Sequence, residues 1–123
     1  MKTVLDIGNC DADHMFIETM LKSNFTATLL RSHGLDDALK LLQENEVDLI
    51  LINRLLDNDG SEGMAILRHF KSDAKLQNIP TMLITNFEEH QEAAIKEGAV
   101  RGFGKSALSS AETKTVIEAA FAQ

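Results

Sequence analysis

The sequence predicts a doubly wound α/β domain, in which helices cover both faces of a parallel sheet. Short apolar segments alternate with segments of helical apolar spacing along all 123 residues. The run Leu49–Ile52 is apolar throughout and has polar ends, which is typical of a central strand buried on both faces. A chain of this length forms one domain, which we expect to span residues 1–123.

Five strands are predicted where apolar and β-branched runs end at turn residues. Pro80 is tolerated at the start of the fourth strand, where no ladder donor is needed. The fifth strand is short and flanked by glycine. The predicted strands are Thr3–Ile7, Phe25–Leu30, Val47–Ile52, Ile79–Thr85 and Val100–Phe103.

Five helices are predicted where apolar residues recur at helical spacing after a capping residue. Asp11 or Asp13 caps the first helix, and Ser109 with Glu112 forms a capping box for the last. The predicted inward positions are Phe16, Ile17, Met20 and Leu21, then Leu35, Ala38, Leu39 and Leu42, then Met64, Leu67 and Phe70, then Ala93, Ala94 and Ile95, and finally Val116, Ile117, Ala120 and Phe121.

The connections between the strands restrict how the sheet is ordered. Crossovers between parallel strands are right-handed, and 2-1-3-4-5 is the common order for five strands. The order reverses between the first and third strands, and this is where open α/β sheets bind ligands. We therefore expect the segment Gly8–Asp11 to face Asn53 there.

Charge and composition exclude several classes of partner. The formal net charge is −7, which disfavours binding to nucleic acid or to an anionic membrane, since both need basic surface. No apolar run approaches the ~20 residues of a membrane span, and the amino terminus does not resemble a signal peptide. The single cysteine, Cys10, fits a reducing cytoplasm.

With these strands and helices, the whole chain resembles the receiver domain of two-component response regulators, with no output domain attached. Val47–Ile52 resembles the strand that leads to the family's phosphoacceptor aspartate. Thr85 matches the hydroxyl position and Lys105 the active-site lysine, which follows Gly98 and Ala99. The resemblance implies a flavodoxin-like (βα)5 fold and a signalling role of the phosphorelay type.

The other functional positions of that family are altered in this sequence. Asn53 stands where the family has its phosphoacceptor aspartate. Asn9 and Cys10 stand where it has an acidic pair, and Asp11 is the next acid. Gly102 stands at the position of the switch aromatic.

These changes remove what phosphoryl transfer to a carboxylate requires, which is an anionic oxygen nucleophile and a divalent cation. The amide of Asn53 is a poor nucleophile. Mg²⁺ prefers carboxylate oxygens, whereas Asn9, Cys10 and Asn53 are neutral. We therefore expect no Mg²⁺, no other metal or cofactor, and no enzymatic activity.

A neutral Asn53 also removes the repulsion between clustered carboxylates. We expect Thr85 and Lys105 to hydrogen-bond to Asn53 and to hold the domain in one state. The leading hypothesis is thus a stand-alone, cytoplasmic pseudo-receiver that is not phosphorylated on aspartate.

Such a protein acts by contact with a protein partner, and the resemblance points to the face of the fourth helix, fifth strand and fifth helix. A homodimer stays open as an alternative. So do an active phosphoacceptor and a small-molecule or redox sensor in a gap lined by Asn9, Cys10, Asn53 and Asn86.

Overall fold

The computed structural model describes residues 1–123 and contains four strands, five α-helices and one short 3-10 helix, Lys105–Ala107. None of the helices is long and apolar enough to cross a membrane. The strands are β1 (Lys2–Ile7), β2 (Ala27–Ser32), β3 (Leu49–Asn53) and β4 (Thr81–Ile84). The helices are α1 (Asp11–Asn24), α2 (Leu35–Glu44), α3 (Gly63–Ser72), α4 (Glu88–Lys96) and α5 (Ala111–Phe121).

The strands form one parallel sheet with the order β2-β1-β3-β4. In this register Ile7 lies opposite Ile52, so the residues that follow β1 meet the end of β3 at the carboxyl edge. Asn53 lies opposite Ile84 of β4. The structure therefore confirms the predicted fold class and the first four positions of the predicted strand order.

The central strands contribute to two hydrophobic cores, one on each face of the sheet. Side chains alternate between the faces of a strand, so Ile50 and Ile52 enter one core while Leu49 and Leu51 enter the other. The first core is closed by α2, α3 and α4, and the second by α1 and α5. Because β3 is apolar on both faces, its carboxyl end is held rigidly where Asn53 emerges.

The predicted fifth strand, Val100–Phe103, is not formed as a regular strand. These residues still lie beside β4. Two backbone hydrogen bonds join them to residues 81–85, from Val100 N to Thr81 O and from Thr85 N to Phe103 O. Between them the amide of Gly102 donates to the side chain of Gln91 rather than to the backbone of β4. The prediction of a five-stranded ladder is therefore wrong, because a side chain interrupts it.

Several predicted boundaries and inward positions also differ from the structure. β2 begins at Ala27 because Phe25 is the C-cap of α1 and its amide donates to Leu21 O. Ser110, not Ser109, caps α5, through a bond from Thr113 N to its hydroxyl. Phe16 is 59% exposed and does not enter the core.

Candidate functional site

Asn53 lies half-buried at the carboxyl edge of the sheet, as the sequence predicts. Its side-chain nitrogen donates to the carbonyl oxygen of Gly8 at 3.0 Å. The first residue of α3, Gly63, packs directly on the backbone of Asn53, where a β-carbon would overlap the Asn53 carbonyl oxygen. The side-chain amide of Asn53 is thus held by the loop after β1, and its backbone is packed against α3.

Gly8, the partner of the Asn53 side chain, directly follows β1. It has a φ of 80°, in the left-handed region, and a β-carbon there would collide with the side chain of Leu56. Its carbonyl oxygen accepts a second hydrogen bond, from the amide of Asp57 at 2.9 Å. The loops after β1 and β3 are therefore joined through one carbonyl group.

Asn9 makes no hydrogen bond with Asn53. It is fully buried, and its side-chain nitrogen donates to the carboxylate of Asp6 at 2.5 Å. The other carboxylate oxygen of Asp6 accepts from Nδ1 of His14 at 2.7 Å. Asp6 is also fully buried, and the sequence analysis does not single it out. The sequence feature that could have identified Asp6 is its charge within the predicted strand Thr3–Ile7.

Cys10 and Asp11 begin α1 and point to other partners. Cys10 is the N-cap residue and is partly exposed. The Asp11 side chain is 93% exposed, and its carboxylate pairs with the guanidinium of Arg31 at 2.7 Å. None of Asn9, Cys10 and Asp11 therefore makes a hydrogen bond with Asn53.

Lys105 pairs with Asp13 instead of Asn53. Its ammonium nitrogen lies 2.8 Å from Oδ2 of Asp13. This hydrogen bond lowers the pKa of the Asp13 carboxyl and outweighs the opposing effect of partial burial. The predicted bond from Lys105 to Asn53 is wrong, because an ammonium group binds a carboxylate more strongly than a neutral amide.

Thr85 also makes no hydrogen bond with Asn53. Its hydroxyl accepts from the amide of Phe87 at 3.2 Å, at the residue that precedes α4. The next residue, Asn86, accepts from the amide and the hydroxyl of Ser106 at 3.1 and 2.9 Å. These bonds fasten the β4–α4 loop to the segment around Lys105, and the predicted three-residue network does not form.

The side chain of Asn53 opens on a shallow depression of about 240 Å³. Its lining contains no carboxylate, whereas it includes Arg54 and Lys105. The lining residues are Asn53, Arg54, Leu55, Ile84, Thr85, Asn86, Phe87 and Lys105. Of the gap predicted from Asn9, Cys10, Asn53 and Asn86, only the last two residues line this depression, because Asn9 is buried against Asp6.

Gly102 is buried between β4 and α4. Its amide donates to the side chain of Gln91 at 2.9 Å, a residue that the sequence analysis does not identify. Glutamine in a helix gives no pattern that distinguishes a buried amide from a solvated one. Elsewhere, no group of three or more histidine, cysteine, aspartate or glutamate side chains is arranged to hold a metal ion.

Comparison with known proteins is informative at the level of structure. No protein-family model and no curated protein sequence matches this chain. The signal receiver domain of a DNA-binding response regulator (merR) from Colwellia psychrerythraea 34H is similar over 100% of both chains, with 21% identity and a TM-score of 0.84.

Two further solved structures give the same result. A response regulator from Thermotoga maritima covers 100% of this chain and 99% of its own, with 13% identity and a TM-score of 0.80. An orphan response regulator of H. pylori covers 98% and 96%, with 20% identity and a TM-score of 0.70. This chain therefore has the fold of response regulator receiver domains.

Proposed function

We propose that this chain is a receiver-like signalling domain of the two-component type that is not phosphorylated on aspartate and acts by protein–protein contact. It works in the cytoplasm and is not an enzyme. The observation that carries the proposal is the state of Asn53: a neutral amide stands at the end of β3, and its nitrogen is bound to the Gly8 carbonyl.

The chemistry of an acyl phosphate supports this reading. Its formation requires a carboxylate that attacks phosphorus and a cation that balances the charge developing on the transferred group. Asn53 lacks the anionic oxygen. The carboxylate nearest to it on β1, Asp6, is buried and accepts bonds from Asn9 and His14 on its two oxygens.

The residues at this edge do not fit a Mg²⁺ site. Magnesium takes hard, anionic oxygens in octahedral geometry. Asp11 is held by Arg31, and Asp13 by Lys105. The side-chain nitrogen of Asn9 donates to Asp6, and its side-chain oxygen is a neutral amide oxygen. No step of the proposed function passes through a metal ion.

The proposed contact face is formed by α4, the segment 100–104 and α5. Glu89 and Glu92 are exposed on α4, and Ile95 beside them is 40% exposed. Glu88 is paired with Arg101 across the face at 2.6 Å, so its charge is partly balanced. A partner that fits this face presents basic residues around an apolar contact. A second copy of the acidic face does not meet that condition.

Phosphorylation is tested by incubating the protein with acetyl phosphate and Mg²⁺ and measuring its intact mass. We expect no gain of a phosphate, whereas a receiver domain with an intact aspartate, treated in parallel, gains one. We also expect beryllofluoride and Mg²⁺ to leave the amide NMR spectrum unchanged. A hydroxylamine-labile phosphate, or shifts confined to Asn53, Thr85 and Lys105, would contradict the proposal and favour an active phosphoacceptor.

A second candidate function is a small-molecule sensor at the depression beside Asn53. It is favoured by the exposed apolar rim of that depression, since Leu55 is 41% and Phe87 55% exposed. Screening small metabolites for a rise in melting temperature tests it, with Phe87→Ala as the variant that abolishes the effect. The redox form of this idea is weaker, because Cys10 does not line the same depression.

A further inference from the structure

Gln91 is a buried polar residue on α4 that points at the edge of the sheet. The residue is 4% exposed. Its side-chain nitrogen donates to the carbonyl oxygens of Leu83 at 3.0 Å and Thr85 at 3.3 Å. Its side-chain oxygen accepts from the amide of Gly102 at 2.9 Å. Both N–H groups and the oxygen of this amide are therefore used, all on backbone partners.

The side chain replaces a backbone hydrogen bond of a parallel ladder. A primary amide presents an N–H donor and a C=O acceptor, as a peptide group does. Here it lies between the backbone bonds that join Val100 to Thr81 and Thr85 to Phe103. The Leu83 carbonyl thus accepts from the side-chain nitrogen of Gln91, and the Gly102 amide donates to its side-chain oxygen, so these two backbone groups do not bond to each other.

Glycine at position 102 is a condition of this arrangement. A β-carbon there would overlap the Leu83 carbonyl oxygen and lie 3.1 Å from Cβ of Met82 and 3.4 Å from Nε2 of Gln91. The space beside β4 that a side chain of residue 102 would enter is therefore filled by backbone and by Gln91. A side chain at this position would therefore require β4 or Gln91 to shift.

We infer that Gln91 is a positioning residue that fixes α4 and the segment 100–104 against β4 in a single arrangement. Release of α4 would break the hydrogen bonds of Gln91 to the Leu83 carbonyl and the Gly102 amide, which are buried in the folded protein. On the proposed function, the partner-binding face is then permanently formed and is not switched. The inference about Gln91 itself concerns the isolated protein and needs no partner.

Hydrogen exchange in the wild-type protein is the first test. We expect the Gly102 amide to exchange at least about a hundredfold more slowly than the amide of Asn58 in the exposed loop after β3. We expect the side-chain NH₂ protons of Gln91 to give separate, slowly exchanging NMR signals. Exchange of either group at the rate of an exposed amide would overturn the inference.

Substitution of Gln91 is the second test. Gln91→Ala removes all three bonds, and Gln91→Glu keeps the shape but replaces the NH₂ group, which carries both N–H donors, with a carboxylate oxygen that cannot donate. We expect exchange of the Gly102 amide to accelerate about tenfold or more in both variants. Glu92→Gln, at the exposed neighbouring position on α4, is the matched control and should leave that rate unchanged.

Unchanged protection of Gly102 in a folded Gln91→Ala protein would overturn the inference. If that variant does not fold, the wild-type exchange rates still decide the question. The outcome is separable from that of the proposed function. A phosphorylated wild-type protein would refute the proposed function and leave the exchange result standing, whereas fast exchange at Gly102 would refute only the role of Gln91.

Discussion

At the scale of single residues, Asp6 is a carboxylate with no exposure to solvent. The other buried residues of its strand, β1, are all apolar. An uncompensated buried charge is strongly unfavourable. Here Asn9 and His14 each donate to one carboxylate oxygen, at 2.5 and 2.7 Å. The pair of Asp6 and His14 therefore links β1 to α1 at the carboxyl edge of the sheet.

His14→Ala should destabilise the protein by about 3 kcal/mol, because it leaves the buried Asp6 carboxylate with one donor fewer. Urea unfolding followed by circular dichroism measures the loss. Adding Asp6→Asn to this variant should recover part of it, since the buried charge is then absent. His33→Ala, at an exposed position, is the control, and an equal loss in both histidine variants would contradict the assignment.

Lys105→Met should remove the pH dependence that the pair with Asp13 creates. Because the pKa of Asp13 is lowered in the folded state, the ion pair stabilises the protein at pH values above the pKa that Asp13 has in the unfolded chain. This stabilisation is lost as the pH falls through the lower pKa of the folded state. Both side chains are about one-third exposed, so we expect the loss at pH 7 to stay below about 1 kcal/mol.

This loss should shrink as pH falls below the ordinary aspartate pKa and should disappear once Asp13 is protonated in the folded wild type. Melting temperatures measured from pH 2 to 7 test the prediction. Lys114→Met on the exposed face of α5 is the control and should show no such trend. A deficit of Lys105→Met that is the same at pH 2 and pH 7 would contradict it.

At the scale of elements, the approach of α3 to β3 decides how the backbone of Asn53 is held. Gly63 begins α3, and its amide donates to the carbonyl of Arg54 at 2.7 Å. A β-carbon on Gly63 would lie 2.7 Å from Cγ2 of Ile52 and would also overlap the Asn53 carbonyl. The close packing of these two elements therefore depends on the absence of a side chain.

Gly63→Ala should cost about 1–3 kcal/mol, because either α3 or the end of β3 must move. It should also shift the amide signals of Asn53 and Arg54. Gly34→Ala is a matched control at the N-cap of α2, where a β-carbon meets no atom within 4 Å. We expect that control to change stability by no more than about 0.5 kcal/mol. Similar losses in both variants would refute the packing argument.

At the scale of the whole molecule, both hydrophobic cores share β3. Leu51 belongs to the core under α1 and α5, and Ile52 to the core under α2, α3 and α4. Neither core can lose its central strand while the other stays intact. We therefore expect the domain to unfold as one cooperative unit.

Leu51→Ala and Ile52→Ala should each destabilise the whole domain by about 2–5 kcal/mol, since both side chains are fully buried. Urea transitions followed by circular dichroism and by NMR signals from both faces should coincide. Leu55→Ala, at a residue that is 41% exposed, should cost about 0.5 kcal/mol or less. Helices of one face that persist after the other face unfolds would contradict shared cooperativity.

The elements that the sequence predicts correctly are those with a strong local pattern. β3 is correct because Leu49–Ile52 is apolar on both faces, and α3 contains the predicted inward residues Leu67 and Phe70, which keep helical spacing. The fifth strand is wrong because its hydrogen bonds compete with Gln91, which is nine residues before Val100 in the chain. No local pattern reports that competition.

The candidate site shows the same division between local and long-range causes. The position of Asn53 follows from its strand, and its loss of charge follows from the residue type. The hydrogen-bond partners at the site do not follow from the local sequence. Lys105 pairs with Asp13 rather than with Asn53 because of where α1 places the Asp13 carboxylate. In the same way Asn9 turns to Asp6 only because both are buried beneath the start of α1.

The sequence by itself therefore determined the fold class, the place of Asn53 at the carboxyl edge, and the absence of an aspartate nucleophile there, since periodicity and residue type are local properties. Tertiary structure alone decided which groups Asn53, Lys105 and Gly102 bind. Hydrogen bonds and ion pairs form between the groups that packing brings within about 3 Å, and that packing depends on residues far apart in the chain.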